Sequence, residues 1–454
     1  MQSVNPATGE NIRSYAPHTW SEVEEKLIRA HNAFLIWKRT GFKERGSKLK
    51  MAASILRTDR TKLAKLIAEE MGKPMAQGLG EIDKCAATCL FYAEHAERFL
   101  SPEPVHSDAK KSFIAYEPLG IVFAVMPWNF PFWQVFRAAA PALMAGNGMI
   151  LKHASNVCGA SLAIHEIFKE AGLPAGLFSS VLVPGDQVGA IIEHPVVSAV
   201  TLTGSTEAGK SVAAKAGGAL KKTVLELGGS DPYIVLEDAD ISKAAQICAL
   251  SRLINAGQSC VAAKRFIVAD KVFEQFQNKF VAVMKEQKMG PPLDEGVTVG
   301  PLARRDLRDT VHAQVQESIK RGALLLLGGE VPAGPGAFYP PTVLSNVRSG
   351  MPAYDEEIFG PVASLIRVQD EQEAIRIAND TLFGLGAAVF SRDLKKAEHI
   401  AQHELEAGCC FINDNVKSDP HLPFGGIKHS GYGRELSHLG IREFTNIKTV
   451  WTGK

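Results

Sequence analysis

Residues 118–136 read PLGIVFAVMPWNFPFWQVF, and how this stretch folds decides the class of the whole chain. It carries no formal charge and approaches the roughly 20 apolar residues that span a bilayer. Pro127 and Pro131 fall in its middle, where a continuous helix would lose hydrogen bonds and clash. The better reading is a buried strand, a turn and a new helix. Outward from it, short apolar runs recur: GIVFAVM (120–126), GMILKHA (148–154), FSSVLVPG (178–185), SAVTLTG (198–204) and KTVLELGG (222–229). Amphipathic stretches separate them, with Gly, Pro or Asn as punctuation. That is the pattern of repeated βα units around a parallel sheet.

A second series follows in YIVL, RFIVA, ALLLLGG, SLIRV, GLGAAVF and GCCFIN. Two α/β domains in tandem, divided near Gly228–Gly229, fit the 454 residues. Ahead of them the reading is helical. Thr19-x-x-Glu22 is a capping box, with apolar spacing through Trp37, and a second helix runs through residues 48–72 to stop signals at Gly72 and Pro74. The tail REFTNIKTVWTGK (442–454) reads as a late strand.

Fifty basic and 49 acidic side chains leave a net charge of +1, which removes the electrostatic case for nucleic acid or an anionic membrane as partner. Hydrophobic residues at 46 % place the chain among globular proteins with a large core. The seven cysteines include no CxxC pair, so a reducing, cytoplasmic setting is expected. Cys85 and Cys89 share a helix face without a following Cys/His pair, so no metal site is expected. The opening MQSVNPATGENIRSYAP has no apolar h-region, so no signal peptide is expected.

GSTEAGKS at 204–211 matches the phosphate-binding pattern GxxxxGK[ST], and YIVLED (233–238) follows as a metal-binding strand end would. A nucleotide triphosphatase is the competing function. Glu207 would place a carboxylate inside the phosphate loop, and that function gives the other motifs no task. A Gly-rich turn opening a helix can equally bind the phosphates of a dinucleotide. The fingerprint GxGxxG is absent, so any dinucleotide is held in another mode.

Those other motifs are MPWNFP (126–131), LELGGSDP (225–232), NAGQSC (255–260), EEIFGPV (356–362) and PFGGIKHSGYGRE (423–435). In this order, and from NPATGE onward, the chain resembles the aldehyde dehydrogenase superfamily. Oxidising an aldehyde through a covalent adduct needs a nucleophile that later leaves as a thioester, which suits a thiolate. Cys260 is the candidate. The resemblance makes Asn129 the oxyanion donor, with the N–H of Cys260 as the second, and Glu226 the base that activates water. A base at this position argues for hydrolysis over acyl transfer to coenzyme A. Gly228 and Gly229 let the chain pass close to ligands, and Ser230 replaces the Lys or Asn frequent in the family.

The resemblance also implies a nicotinamide dinucleotide. Lys152 takes the adenosine-ribose position, Gly204 and Ser205 the pyrophosphate turn, and Glu357 the nicotinamide ribose. Trp128, Gly185, Leu227 and Phe359 complete the cofactor side. Ser155 stands where NAD-preferring relatives often carry a Glu. A carboxylate about 4 Å from a 2′-phosphate would cost on the order of 4 kcal/mol at an effective dielectric of ~20. Its absence predicts NADP as the preferred coenzyme, with NAD still possible.

Arg137, eight residues after Asn129, would lie two turns into a helix starting at Pro131, and at this position succinate-semialdehyde dehydrogenases bind the substrate's distal carboxylate. Ser418 matches their carboxylate-binding serine. Their second Arg is Ile254 here, which leaves other ω-carboxy or short aliphatic aldehydes open. A salt bridge is the alternative role for Arg137. The chain most resembles the short bacterial members of that group. The resemblance implies a cofactor domain (1–98 and 119–228), a catalytic domain (229–428) and a β arm (99–118 and 429–454) that makes homodimers or homotetramers.

Overall fold

The apolar stretch folds as a strand, Ile121–Met126, a turn holding both prolines, and a helix, Trp133–Met144. The computed structural model describes residues 1–454. The β-branched strand is buried at every position but one and lies at the centre of a six-stranded sheet. On one side follow Gly148–His153 and Phe178–Ser180; on the other, Val197–Thr203 and Lys222–Glu226, all parallel. The antiparallel pair Gly431–Tyr432 closes that edge. The chain thus reverses its winding between Ile121–Met126 and Val197–Thr203, and in such sheets ligands sit beyond the carboxyl ends of the strands at that point.

The second sheet has seven strands, in the order Leu324–Leu327, Thr342–Ser345, Val362–Val368, Arg265–Ala269, Pro232–Val235, Gly386–Phe390 and Cys409–Ile412. Only Leu324–Leu327 runs antiparallel. Three adjacent inner strands, Arg265–Ala269, Pro232–Val235 and Gly386–Phe390, are buried throughout, as expected where helices cover both faces. Buried apolar side chains form one continuous cluster across both sheets. Lys111–Pro118 pairs antiparallel with the terminal strand Thr445–Thr452 over eight residues, with Glu103–Pro104 on its other edge.

Two local expectations need correction, and one strand was not foreseen. The chain opens with a hairpin, Gln2–Val4 against Asn11–Ser14, before any helix. Its strands are too short to show a period, and its turn is set by the Asn5 side chain accepting from Ala7 N–H and by Gly9 at φ 79°. The helix expected across 48–72 is two helices, Phe42–Thr58 and Arg60–Met71, because Asp59 leaves helical dihedrals and its carboxylate accepts from Lys62 instead. Thr342–Ser345 is a strand only four residues long, masked by the prolines before it. The Thr19–Glu22 capping box and the left-handed cap at Gly72 form as read. No helix is long and apolar enough to cross a membrane.

Candidate active site

The residues singled out by sequence gather along the carboxyl edge of the six-stranded sheet. Trp128 and Asn129 follow Ile121–Met126, Lys152 closes Gly148–His153, and Gly185 opens a short turn after Phe178–Ser180. Gly204 and Ser205 follow Val197–Thr203, and Glu226 ends Lys222–Glu226.

Cys260 comes from the other domain's side. The loop before it carries three successive left-handed residues, Asn255 (φ 54°), Ala256 (φ 53°) and Gly257 (φ 76°). Only glycine fits the third: a Cβ there would lie 2.1 Å from the Gly360 carbonyl. Arg252 Nη2 donates to the Gly257 carbonyl at 2.5 Å, and Lys264 Nζ donates to the carbonyls of Ser259, Cys260 and Ala262 at 2.9–3.2 Å. Cys260 is thereby held half-buried at the junction of two cavities.

The first cavity, about 410 Å³, is lined by Trp128, Asn129, Gly204, Ser205, Leu227, Gly228, Glu357 and Phe359 among others. Trp128 and Phe359 meet edge to face, with ring centroids 5.8 Å apart. Glu357 accepts from Gly229 N–H at 3.1 Å, and Lys264 lies 3.5 Å away. A side chain at position 228 would come within 2.4 Å of Glu357, so glycine is what lets the carboxylate reach the cavity. A dinucleotide fits this edge. Ser205 caps the helix Thr206–Gly218, Glu357 presents its carboxylate to the cavity, and Lys152 is half-buried without an ion-pair partner. Burial lowers the pKa of Lys152, the cost of a cation with no neighbouring acid. Ser155 is exposed beside it, and Gly185 is exposed with open space around it. Lys152, Ser155 and Gly185 lie beyond the cavity, further along the strand ends.

The second cavity, about 280 Å³, opens on the other side of Cys260 and is lined by Phe130, Trp133, Gln134, Arg137, Ile254, Ser418, Phe424 and Lys84 among others. Asn129 lines the first cavity, and Gln134, its neighbour, lines both. Asn129 Nδ2 donates to the Gln258 carbonyl at 3.0 Å and its Oδ1 accepts from Gln134 at 2.9 Å, which leaves one amide N–H without a protein acceptor. Burial pushes the Cys260 thiol up to about 12, against the pull of Arg137 and Lys264, so the resting side chain is a protonated thiol. Glu226 is buried, neither of its oxygens has a hydrogen-bond partner, and it lines neither cavity. Its carboxyl is held well above the usual range, first by burial and then by the neighbouring Glu435.

The helix Trp133–Met144 starts two residues later than expected, so Arg137 stands one turn in rather than two. Its guanidinium is buried, Nε pairs with Glu435, and Nη2 donates to Thr203 at 3.2 Å. The salt-bridge role is therefore real, and it coexists with a place on the cavity wall.

The family model for the aldehyde dehydrogenase family matches residues 1–450. The chain belongs to that family. It is 48 % identical over 451 residues to a protein of Synechocystis sp. named probable succinate-semialdehyde dehydrogenase [NADP(+)], covering 99 % of each chain. It is 46 % identical to the succinate semialdehyde dehydrogenase [NAD(P)+] Sad of Escherichia coli, over 99 % of this chain and 97 % of that one. The solved structure of succinic semialdehyde dehydrogenase from Streptococcus pyogenes, in complex with NADP+, superposes with a TM-score of 0.97 at 40 % identity over the whole of both chains.

As an aldehyde dehydrogenase-family enzyme, the chain has no phosphate loop at 204–211. The helix begins at Thr206, so Lys210 lies on an exposed helical turn beside Glu207, 3.4 Å away, and Gly209 packs against Leu227. Sequence reasoning missed three side chains of the site. Glu81 accepts from the N–H groups of Phe132 and Trp133 at 2.9 and 3.0 Å and pairs with buried Lys73, which fixes the turn carrying Asn129. Glu435 pairs with Arg137. Lys84 donates to Ser418 at 2.7 Å. One signal was available: Gln77, Glu81 and Lys84 form a polar line at helical spacing on a helix otherwise buried on that face.

Proposed function

We propose that the protein oxidises succinate semialdehyde to succinate, with NADP+ as the hydride acceptor and water as the final acyl acceptor. The single observation that carries this reading is the position of Cys260, shared by a dinucleotide-sized cleft and a separate cavity containing cationic side chains. The names of the Synechocystis and E. coli relatives point the same way.

Cys260 Sγ bonds to the aldehyde carbon as the carbonyl π bond breaks, the thiol proton passes to solvent water in the cleft, and the free N–H of Asn129 and the N–H of Cys260 receive the oxyanion. A nicotinamide coenzyme held by Gly204, Ser205, Glu357 and Phe359 in the first cavity would supply the hydride acceptor, and loss of hydride from the adduct would leave a thioester on Cys260. Glu226 then takes a proton from the water that attacks the thioester. A carboxyl held above the ordinary range is the stronger base once ionised. Lys152 and Ser155 receive the 2′-phosphate, and no carboxylate of theirs opposes it. Ser418 and the positive charge of Arg137 attract the distal carboxylate of the substrate. Ile254 offers no second arginine, so longer ω-carboxy aldehydes are also accepted.

We place the domain divisions at residues 98/99, 118/119, 228/229 and 428/429 and the active form as a homodimer or homotetramer joined through the arm, where Ile447 and Trp451 are 61 % and 54 % exposed. Seven free thiols suit a cytoplasmic enzyme. The test is the purified chain with succinate semialdehyde, butanal, NAD and NADP in all combinations, followed by the absorbance of the reduced coenzyme. The highest kcat/KM is expected for succinate semialdehyde with NADP; equal rates for both aldehydes, or no coenzyme reduction, would overturn the assignment.

A further inference from the structure

Two lysines buried around the active site each face a carboxylate: Lys73 meets Glu81, and Lys264 meets Glu357. Arg137, on the wall of the substrate-side cavity, meets Glu435. Lys84, on the same wall, meets none. It rises from the helix Met75–Phe99, lies 4.2 Å from the centroid of the Trp133 ring, and makes one hydrogen bond, to Ser418 Oγ at 2.7 Å. A lysine this enclosed is rarely left without an acidic partner, because removing its charge from water is costly.

The hydrogen bonding is asymmetric in a useful way. Ser418 Oγ accepts from Lys84, so its own hydrogen stays free to donate, and the ammonium keeps two N–H groups. Both face a cavity whose other end is Cys260. An anionic group in that space would find three donors and an unpaired positive charge, while Arg137 already shares its charge with Glu435.

We propose that Lys84, acting together with Ser418, is the specificity-determining cation that holds the distal carboxylate of the substrate. The inference rests on the ω-carboxy aldehyde reading above and assigns to Lys84 the role left open by Ile254. Other charges bear on the same ammonium: Arg137 from the helix Trp133–Met144, Asp419 from the loop carrying Ser418, and Glu81 and Cys85 from its own helix. Burial first, then Arg137, brings its pKa down to about 8, so the free enzyme loses this charge above that pH.

The test compares kcat/KM for succinate semialdehyde and butanal in the wild type, Lys84→Met and Lys84→Arg. A charge-assisted hydrogen bond is worth about 1.5–3 kcal/mol, so Lys84→Met should lower the ratio of the two values roughly ten- to a hundredfold, mainly through KM, and Lys84→Arg should restore part of it. In the wild type, KM for succinate semialdehyde should rise relative to that for butanal above pH about 8. This second readout needs no variant to fold. A ratio unchanged in Lys84→Met, together with parallel pH curves for both aldehydes, overturns the role of Lys84 alone. A wild type that does not prefer the carboxylated aldehyde overturns the substrate assignment, and Lys84 with it.

Discussion

The two cavities that meet at Cys260 are built on different plans. The first cavity is made mainly by strand ends and the turns that follow them at the carboxyl edge of one sheet, completed by Glu357 and Phe359, with glycine where a carboxylate must approach backbone. The substrate side is made by side chains from segments far apart in the chain: the helix Met75–Phe99, the helix Trp133–Met144, the loop before Cys260 and the loop around Ser418. Each side ends in a lysine that lacks an acidic partner, Lys152 on one and Lys84 on the other. The first plan conserves a binding mode for one large ligand. The second lets a pocket change its chemistry by one side chain at a time.

Changes at the junction should abolish the distinction, because both cavities depend on it. Cys260→Ala should lower oxidation of every aldehyde by about 10³-fold or more, measured as coenzyme reduction. Residual turnover within tenfold of the wild type would remove the thiol from the mechanism. Glu226→Gln should slow the steady state by about 10²–10⁴-fold while leaving a first-turnover burst of reduced coenzyme. In the wild type the rate should rise with pH as this carboxyl ionises. That limb should lie above the ~4.3 of an ordinary glutamate, since burial and Glu435 both raise the pKa, and it should vanish in the variant. Asn129→Ala should cost about 10²–10³-fold in kcat for charged and uncharged aldehydes alike. A loss confined to one aldehyde would make Asn129 a part of the substrate wall instead.

The smallest change should sharpen the comparison. Ser155→Glu should shift the NADP-to-NAD preference by about tenfold or more while leaving aldehyde selectivity unaltered, because Ser155 lies outside both cavities and is exposed to screening solvent. A coupled change in aldehyde selectivity would show that the two sides are not independent.

This division also explains what could be read from sequence. The parallel strands announce themselves as apolar runs, and Cys260, Asn129, Glu357 and Gly204 each sit in a short contiguous motif, although their partners do not, as Asn129 with Gln258 and Glu357 with Gly229 show. Lys84 and Ser418 are 334 residues apart, and Arg137 meets Glu435 from the far end of the chain. No local pattern encodes such pairs; only the folded backbone brings them together. The literal phosphate-loop match failed for the converse reason: local letters agreed, but a helix cap at Ser205 came too early for a loop to form. The break at Asp59 was equally silent, since neither Gly nor Pro marks it.

The three left-handed residues ahead of Cys260 have an implication for how this enzyme can diverge. They set the sulfur's location when the polypeptide folds, before any aldehyde is encountered, and they bond none of Arg137, Ser418 and Lys84, although Asn255 N–H donates to Gln77 on the second cavity's wall at 2.8 Å. Selection for a new carbon skeleton can therefore rework those three side chains while the reacting atom stays where it is.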